Sequence, residues 1–226
     1  MSLRDYLFHE EPGVTLYCGD ARVIVPMLVC PNTSYCMEAC DGRCGQRTAI
    51  ITDPPYGMNY DTDGNRFTLG GRSLSPVHGD DAPFDPRPWL AFQWSVLWGF
   101  NHFPANLPGG GALVWIKRSD AAFGQFLSDA EVAWVKGRRG VYAYRDVRHA
   151  IAEKREHPTE KPVGLMSWSI VKSAAPADAV IVDPFAGSGT TLLAAKNLGR
   201  PVIGIEIEPR YCELAVKRLR QEVLPL

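Results

Sequence analysis

The sequence has no uninterrupted apolar run approaching the roughly 18 residues that a membrane helix needs. Its first eleven residues are charged early, so they do not read as a signal peptide, and a cytoplasmic protein is expected. An excess of charge of either sign is also missing: 24 Lys and Arg stand against 25 Asp and Glu, a net charge of −1. A nucleic-acid partner would therefore have to meet a local positive field rather than a global one. Internal repeats and low-complexity tracts are absent. A hydrophobic content of 46% with 22% charged residues excludes a disordered or fibrous chain. The 226 residues suffice for one domain, 1–226, that buries its core without disulfides or metal.

Cysteine is scarce outside one short segment, which holds four of the six: Cys30, Cys36, Cys40 and Cys44. In a reducing compartment such crowding points to metal ligands more than to disulfides. The spacing could place the last three near one helical face around Zn²⁺, yet it lacks the C-x₂-C knuckle. Zinc in a 30–44 insert and free thiols both remain open.

Val14 to Asp20 and Thr48 to Asp53 are short apolar runs with polar ends, which predicts two buried strands. Gly57 to Asp85, rich in Gly, Pro, Ser and Asp, reads as a long functional loop. Apolar residues at helical spacing predict a helix over Trp89 to Phe103, then a glycine turn and a strand at Ala112 to Ile116. Ala130 to Val135 reads as another strand, followed by a basic, poorly periodic stretch. The last third alternates cleanly: helix from Val163 to Ala174, strand from Ala179 to Val182, helix from Thr190 to Leu198, strand from Val202 to Ile205, and a helix opened by Pro209. Such alternation implies an α/β fold with a mostly parallel sheet covered on both faces.

Two segments carry chemistry, and both sit where an α/β sheet places its ligands, at a strand's carboxyl end. The first is Asp183-Pro184-Phe185-Ala186-Gly187-Ser188-Gly189-Thr190-Thr191, between a strand and a helix. Its glycines allow a tight turn and close approach of a ligand. It has no Gly-Lys-Ser/Thr ending, so it is not a phosphate-gripping P-loop. Glu206 ends the next strand and can accept hydrogen bonds from two ribose hydroxyls. A ligand with a ribose and no pyrophosphate fits best. The second segment is Asp53-Pro54-Pro55-Tyr56. Two prolines stiffen the backbone and remove two donors, leaving the Asp53 carboxylate and the Pro54 carbonyl as acceptors. An amino group with two hydrogens is their natural partner, and Tyr56 offers a flat face for a planar heterocycle.

Together these segments resemble the catalytic and cofactor motifs of the β-group DNA amino-methyltransferases, the N6-adenine and N4-cytosine DNA methylases, in a small phage-like branch. Gly19-Asp20 with Ala21, Trp98-Gly-Phe-Asn-His-Phe103, Val114-Trp-Ile-Lys117 and His157-Pro-Thr-Glu-Lys161-Pro162 resemble further motifs of that family. At Ile116 the chain departs from relatives that carry Asp before the Lys. The resemblance implies a circularly permuted, Rossmann-like S-adenosylmethionine-dependent methyltransferase fold with a mixed sheet. It implies catalysis by Asp53, Pro54, Pro55 and Tyr56. Cofactor contacts would come from Asp20, Ala21, Asp53, Lys161, Pro162, Asp183 to Thr191, Glu206 and Ile207, with Lys161 toward the methionine carboxylate. The implied substrate is a base flipped from double-stranded DNA, with adenine N6 favoured over cytosine N4 because Asp opens the tetrapeptide. A bacterial or phage origin, a place in restriction-modification and a homodimer are further implications. Transfer to an amine or amide of RNA or protein is the enzymatic rival, and a binding module without catalysis is the other.

Between Lys136 and His157 basic residues outnumber acidic ones. Lys136, Arg138, Arg139, Arg145 and Arg148, interleaved with Tyr142 and Tyr144, suit a phosphate backbone, with a solvated surface as the plain alternative. The 136–157 stretch is short for a target-recognition region, so a short or relaxed DNA sequence is expected, with the 57–85 loop closing over the duplex.

Overall fold

The computed structural model describes residues 2–28, 47–58, 79–125, 128–147 and 160–221. Nine strands form one sheet among them: β1 (Leu7–Glu11), β2 (Val14–Cys18), β3 (Thr48–Thr52), β4 (Trp94–Trp98), β5 (Gly111–Ile116), β6 (Ala130–Val135), β7 (Val141–Arg145), β8 (Val180–Asp183) and β9 (Val202–Glu206). Their spatial order is β1-β2-β9-β8-β3-β4-β6-β5-β7. Strands β2, β9, β8, β3 and β4 run parallel. Antiparallel β6 lies between β4 and β5, which returns β5 and its parallel neighbour β7 to the common direction. One edge of the sheet therefore gathers the carboxyl ends of seven strands and the amino ends of β1 and β6.

The central strands are buried along their whole length, as apolar runs such as TAIIT and VIVD require when both faces are covered. Alternation then sorts neighbours to opposite faces. Ala49 and Ile51 join Leu165, Met166 and Ile170 of α2 (Val163–Ser173), Leu192 of α3 (Thr190–Asn197) and Ala215 and Leu219 of α4 (Pro209–Leu219). Ile50 joins Ile24, Val25 and Leu28 of α1 (Ala21–Leu28), with Trp89, Phe92 and Phe103. Fully burying each of these large side chains contributes roughly 1.5–3 kcal/mol. This is the expected α/β, mostly parallel sheet with helices on both faces.

The helix expected over Trp89 to Phe103 is not there. A short 3₁₀ turn at Arg87–Ala91 leads into strand β4, whose Ser95 to Trp98 are buried on both faces beside β3. Five apolar or small residues are too few to separate a helical from a doubly covered strand pattern, and pairing on both sides decides for the strand. The basic stretch after Val135 likewise contains β7, paired along β5. Strand β1 and helix α1 carried no clear sequence signal.

Candidate active site

Strand pairing sets the geometry first. Because β3 and β8 are parallel neighbours, Thr52 and Asp183 end side by side, and the Thr52 hydroxyl donates to Asp183 Oδ1 at 2.6 Å. The Asp53 corner thus starts one residue beyond Thr52, which is bonded to the strand that feeds the glycine loop. On the other flank β9 joins β8 to β2, and Gly19 N–H donates to the Glu206 carbonyl at 2.9 Å. Asp20, Asp53, Asp183 and Glu206, up to 186 positions apart in sequence, end on one edge.

In the glycine loop, Gly187 (φ +51°) and Gly189 (φ +79°) hold left-handed backbone that a side chain would strain. A Cβ on Gly189 would also stand 2.7 Å from the Ala215 Cβ, so glycine lets α3 start against α4. The Glu206 carboxylate accepts Gly187 N–H and Glu208 N–H, each at 2.8 Å, one on each oxygen. With a third backbone bond, from Ile207, the carboxylate still keeps acceptor capacity for a further donor such as a hydroxyl. Burial raises the Glu206 pKa, partly offset by these backbone bonds. Burial also pushes Asp183 up to about 6, against hydrogen bonds from Thr191, Thr52 and the Phe185 N–H. Pro184 and Ala186 are buried, and half-buried Phe185 stacks edge-on against Phe84 and Trp89. Arg218 clasps the loop through the Ser188 hydroxyl at 2.7 Å and the Thr190 hydroxyl at 3.1 Å, and pairs with Glu160 at 2.9 Å. Asp20 caps α1 through Arg22 N–H and pairs with the Arg22 side chain, while Ala21 opens that helix and Ile207 follows β9.

The Asp53 corner is braced from an unexpected quarter. Asp80 Oδ1 accepts three consecutive backbone N–H groups, from Tyr56 (3.1 Å), Gly57 (2.8 Å) and Met58 (3.2 Å). Pro54 is buried and Pro55 half-buried. The Tyr56 hydroxyl donates to Asp53 Oδ1, and its ring stacks on His102 with centroids 4.8 Å apart. Lys161, buried just before α2 beside Pro162, places its ammonium 2.6 Å from Asp53 Oδ2, 2.9 Å from Glu131 Oε2 and 3.3 Å from the Tyr56 hydroxyl. Lys117 completes the cluster at 2.8 Å from Glu131 Oε1. Burial raises the Asp53 pKa, Lys161 pulls it back and Glu131 raises it further. Burial works against the Lys161 charge, but Asp53, Tyr56 and Glu131 outweigh it and hold its pKa well above the ordinary lysine value. Burial would raise Glu131 too, yet Lys161 and Lys117 bring it down to about 2.

Four contributors were not foreseen: Thr52, Asp80, Glu131 and Arg218. A carboxylate interrupting an apolar strand, as Glu131 does in AEVAWV, is the one local signal available. Glu131 stands opposite Trp115 on the neighbouring strand, next to the Ile116–Ala130 pair.

The basic residues do not stay together. Lys136, Arg138 and Arg139 follow the carboxyl end of β6, on the edge opposite Asp53, where Lys136 donates to the Leu90 and Phe92 carbonyls at 2.6 Å each. Arg145 ends β7 on the Asp53 edge and pairs with Asp120. Arg148, the cysteines Cys30, Cys36, Cys40 and Cys44, and most of the 57–85 loop lie outside the described residues. Among the described residues no helix is long and apolar enough to cross a membrane.

Known proteins share both the fold and part of the sequence. M1.HpyAVI, solved as a complex with SAM, superposes with a TM-score of 0.53 at 23% identity, over 91% of this chain and 99% of that one. The chain is 40% identical over 79 residues to the type II methyltransferase M.ScaI of Streptomyces caespitosus, which is 35% of this chain and 26% of that protein. It is 42% identical over 79 residues, with the same two shares, to the DNA adenine methyltransferase YhdJ of Escherichia coli K12. The matched segments thus span about a quarter of these relatives' length. Residues 125–217, from β6 through the glycine loop to α4, match the family model described as DNA methylase.

Proposed function

We propose that the chain transfers a methyl group from S-adenosylmethionine to the exocyclic amine of a base flipped out of duplex DNA, with adenine N6 as the acceptor. The observation that carries this reading is that Asp53 directly follows β3 and Asp183 ends its parallel neighbour β8, so an amine-accepting corner and a ribose-accepting loop open on one edge. The residues present fit the cofactor: the Glu206 carboxylate, held by backbone N–H groups beside the Gly187-Ser188-Gly189 turn, keeps acceptor capacity suited to a ribose hydroxyl. S-adenosylmethionine supplies an electrophilic methyl on a sulfonium. Glu206, Gly187 to Thr191, Asp183 and the Gly19-Asp20 turn would hold it.

The amine of adenine is a weak nucleophile, because its lone pair is conjugated with the ring. Asp53 and the Pro54 carbonyl accept its two hydrogens, draw the nitrogen toward pyramidal geometry and aim the lone pair. The N–CH₃ bond forms as the S–CH₃ bond breaks, and the surplus proton passes from nitrogen to Asp53. Burial raises that carboxyl's affinity for a proton, which suits the receiving role. Positioning and electrostatics account for most of the acceleration. Tyr56 stacks on the extruded base, recovering roughly 1–3 kcal/mol of the unstacking cost. Arg145 contacts the DNA backbone at the same edge, with Arg148 beyond it in sequence. The relative named as a DNA adenine methyltransferase and the family model described as DNA methylase support DNA over RNA or protein, and the former supports adenine. A cytoplasmic homodimer belongs to the same reading, and light scattering reads its mass.

Asp53→Ala is expected to abolish transfer of tritiated methyl to DNA while cofactor affinity by calorimetry stays within about twofold, because the cofactor is held chiefly by the other loops. Glu206→Ala is expected to weaken cofactor binding about tenfold or more, the loss of a charge-assisted hydrogen-bond pair. Near-normal transfer by the Asp53 variant would contradict the reading.

A further inference from the structure

Both carboxylate oxygens of Asp53 are engaged within the protein: Oδ1 by the Tyr56 hydroxyl and Oδ2 by the Lys161 ammonium at 2.6 Å. An amine that is to be gripped by Asp53 must share an oxygen with one of these donors or displace it. Lys161 is the harder occupant to displace, since its side chain is 7% exposed and an ammonium there cannot be left without an anion. Glu131 supplies that anion. Its Oε2 lies 2.9 Å from Lys161 Nζ, and its Oε1 is fixed by Lys117 at 2.8 Å, so the carboxylate bridges two lysines and cannot turn away. Asp53, Glu131, Lys117 and Lys161 form a closed set of two negative and two positive charges.

We propose that Glu131 is a positioning residue for methyl transfer: anchored by Lys117, it retains the Lys161 ammonium while the substrate amine takes over Asp53 Oδ2. The inference rests on the reading of Asp53 as the amine acceptor. Without a carboxylate at position 131, Lys161 has only Asp53, and the incoming amine competes with an ion pair that has nowhere else to go. The groups bearing on this exchange are few. Lys117 faces Glu131 from the end of β5, Lys161 from the segment before α2, and Asp53 feels Tyr56, Lys161, Glu131 and, across β3 and β8, Asp183.

The test compares wild type, Glu131→Gln and Glu131→Asp in two ways. In the first, Asp53 is titrated in the cofactor-free, DNA-free protein by carboxyl ¹³C NMR, with Asp53→Asn for assignment. Glu131→Gln should move the Asp53 midpoint to lower pH, because the neighbouring anion that raises it is gone and Lys161 becomes Asp53's alone. Glu131→Asp should return it toward the wild-type value. In the second, methyl transfer to DNA is followed: Glu131→Gln should lower kcat about tenfold or more with cofactor affinity within about twofold, and Glu131→Asp should recover part of the loss. An unmoved midpoint, or equal kcat for wild type and Glu131→Gln, overturns the role of Glu131. Wild type that methylates no DNA overturns the proposed function instead, and the titration still decides how Glu131 acts on the Asp53–Lys161 pair.

Discussion

Asp183 shows how a single buried carboxyl links pH to stability in this fold. Its pKa rises from 3.8 to about 6, chiefly through burial, so the folded state binds a proton that the unfolded chain releases above about pH 4. The stability it contributes is complete below that pH and is lost as pH rises through 6. Asp183→Asn keeps an acceptor for Thr52 and the Phe185 N–H without the charge. Relative to this variant, the wild type should lose roughly 3 kcal/mol between pH 4 and 7, at about 1.4 kcal/mol per pH unit; urea melts across that range read it directly. Parallel stability curves would show that the site is more solvated than its burial implies. Residues of this kind were legible in sequence, because Asp183 and Glu206 each end an apolar strand and Asp53 directly follows one. Glu131, Asp80 and Thr52 were not. Lys161 and Asp53 are 108 positions apart, and nothing local marks which carboxylate on a third strand will meet them.

Among the elements, the β4 end fixes the Tyr56 ring. Gly99 follows that strand with φ +73°, and a Cβ there would fall 1.9 Å from Tyr56 Cε1. No rotamer of an added methyl avoids that contact, so Gly99→Ala should push the ring from its place beside His102 and Asp53. Transfer should fall about tenfold or more, as expected when a reacting group is misplaced by an ångström, while cofactor affinity by calorimetry stays near the wild-type value. Unchanged turnover would mean that the Tyr56 ring is not held where the base stacks. The same strand marks the limit of periodicity as a guide. WSVLW carries the spacing of a short helix, and only its partners β3 and β6, remote in sequence, make it a strand. Strands β8 and β9 and helices α2 to α4 were legible because glycine, proline and β-branched runs punctuate them locally.

At the scale of the whole molecule, one directional choice does most to assemble the site. Parallel strands β2, β9, β8, β3 and β4 send every predicted cofactor and catalytic segment in their loops to one edge, despite a chain order that puts the Asp53 corner before the glycine loop. The same choice divides the basic residues. Arg145 shares the edge with Asp53, whereas Lys136, Arg138 and Arg139 sit across the sheet, a partition that a linear reading of charge cannot make. A net charge of −1 supplies no long-range field toward a polyanion, so under the proposed function DNA meets a local contact surface. The most direct test of the central claim is to incubate the chain with methyl-labelled S-adenosylmethionine and unmethylated duplex DNA, digest the product and identify the labelled nucleoside by mass spectrometry. The expected result is label in N6-methyladenine with wild type and none with Asp53→Ala. Label in no nucleoside, or equal label with the Asp53 variant, would contradict the account.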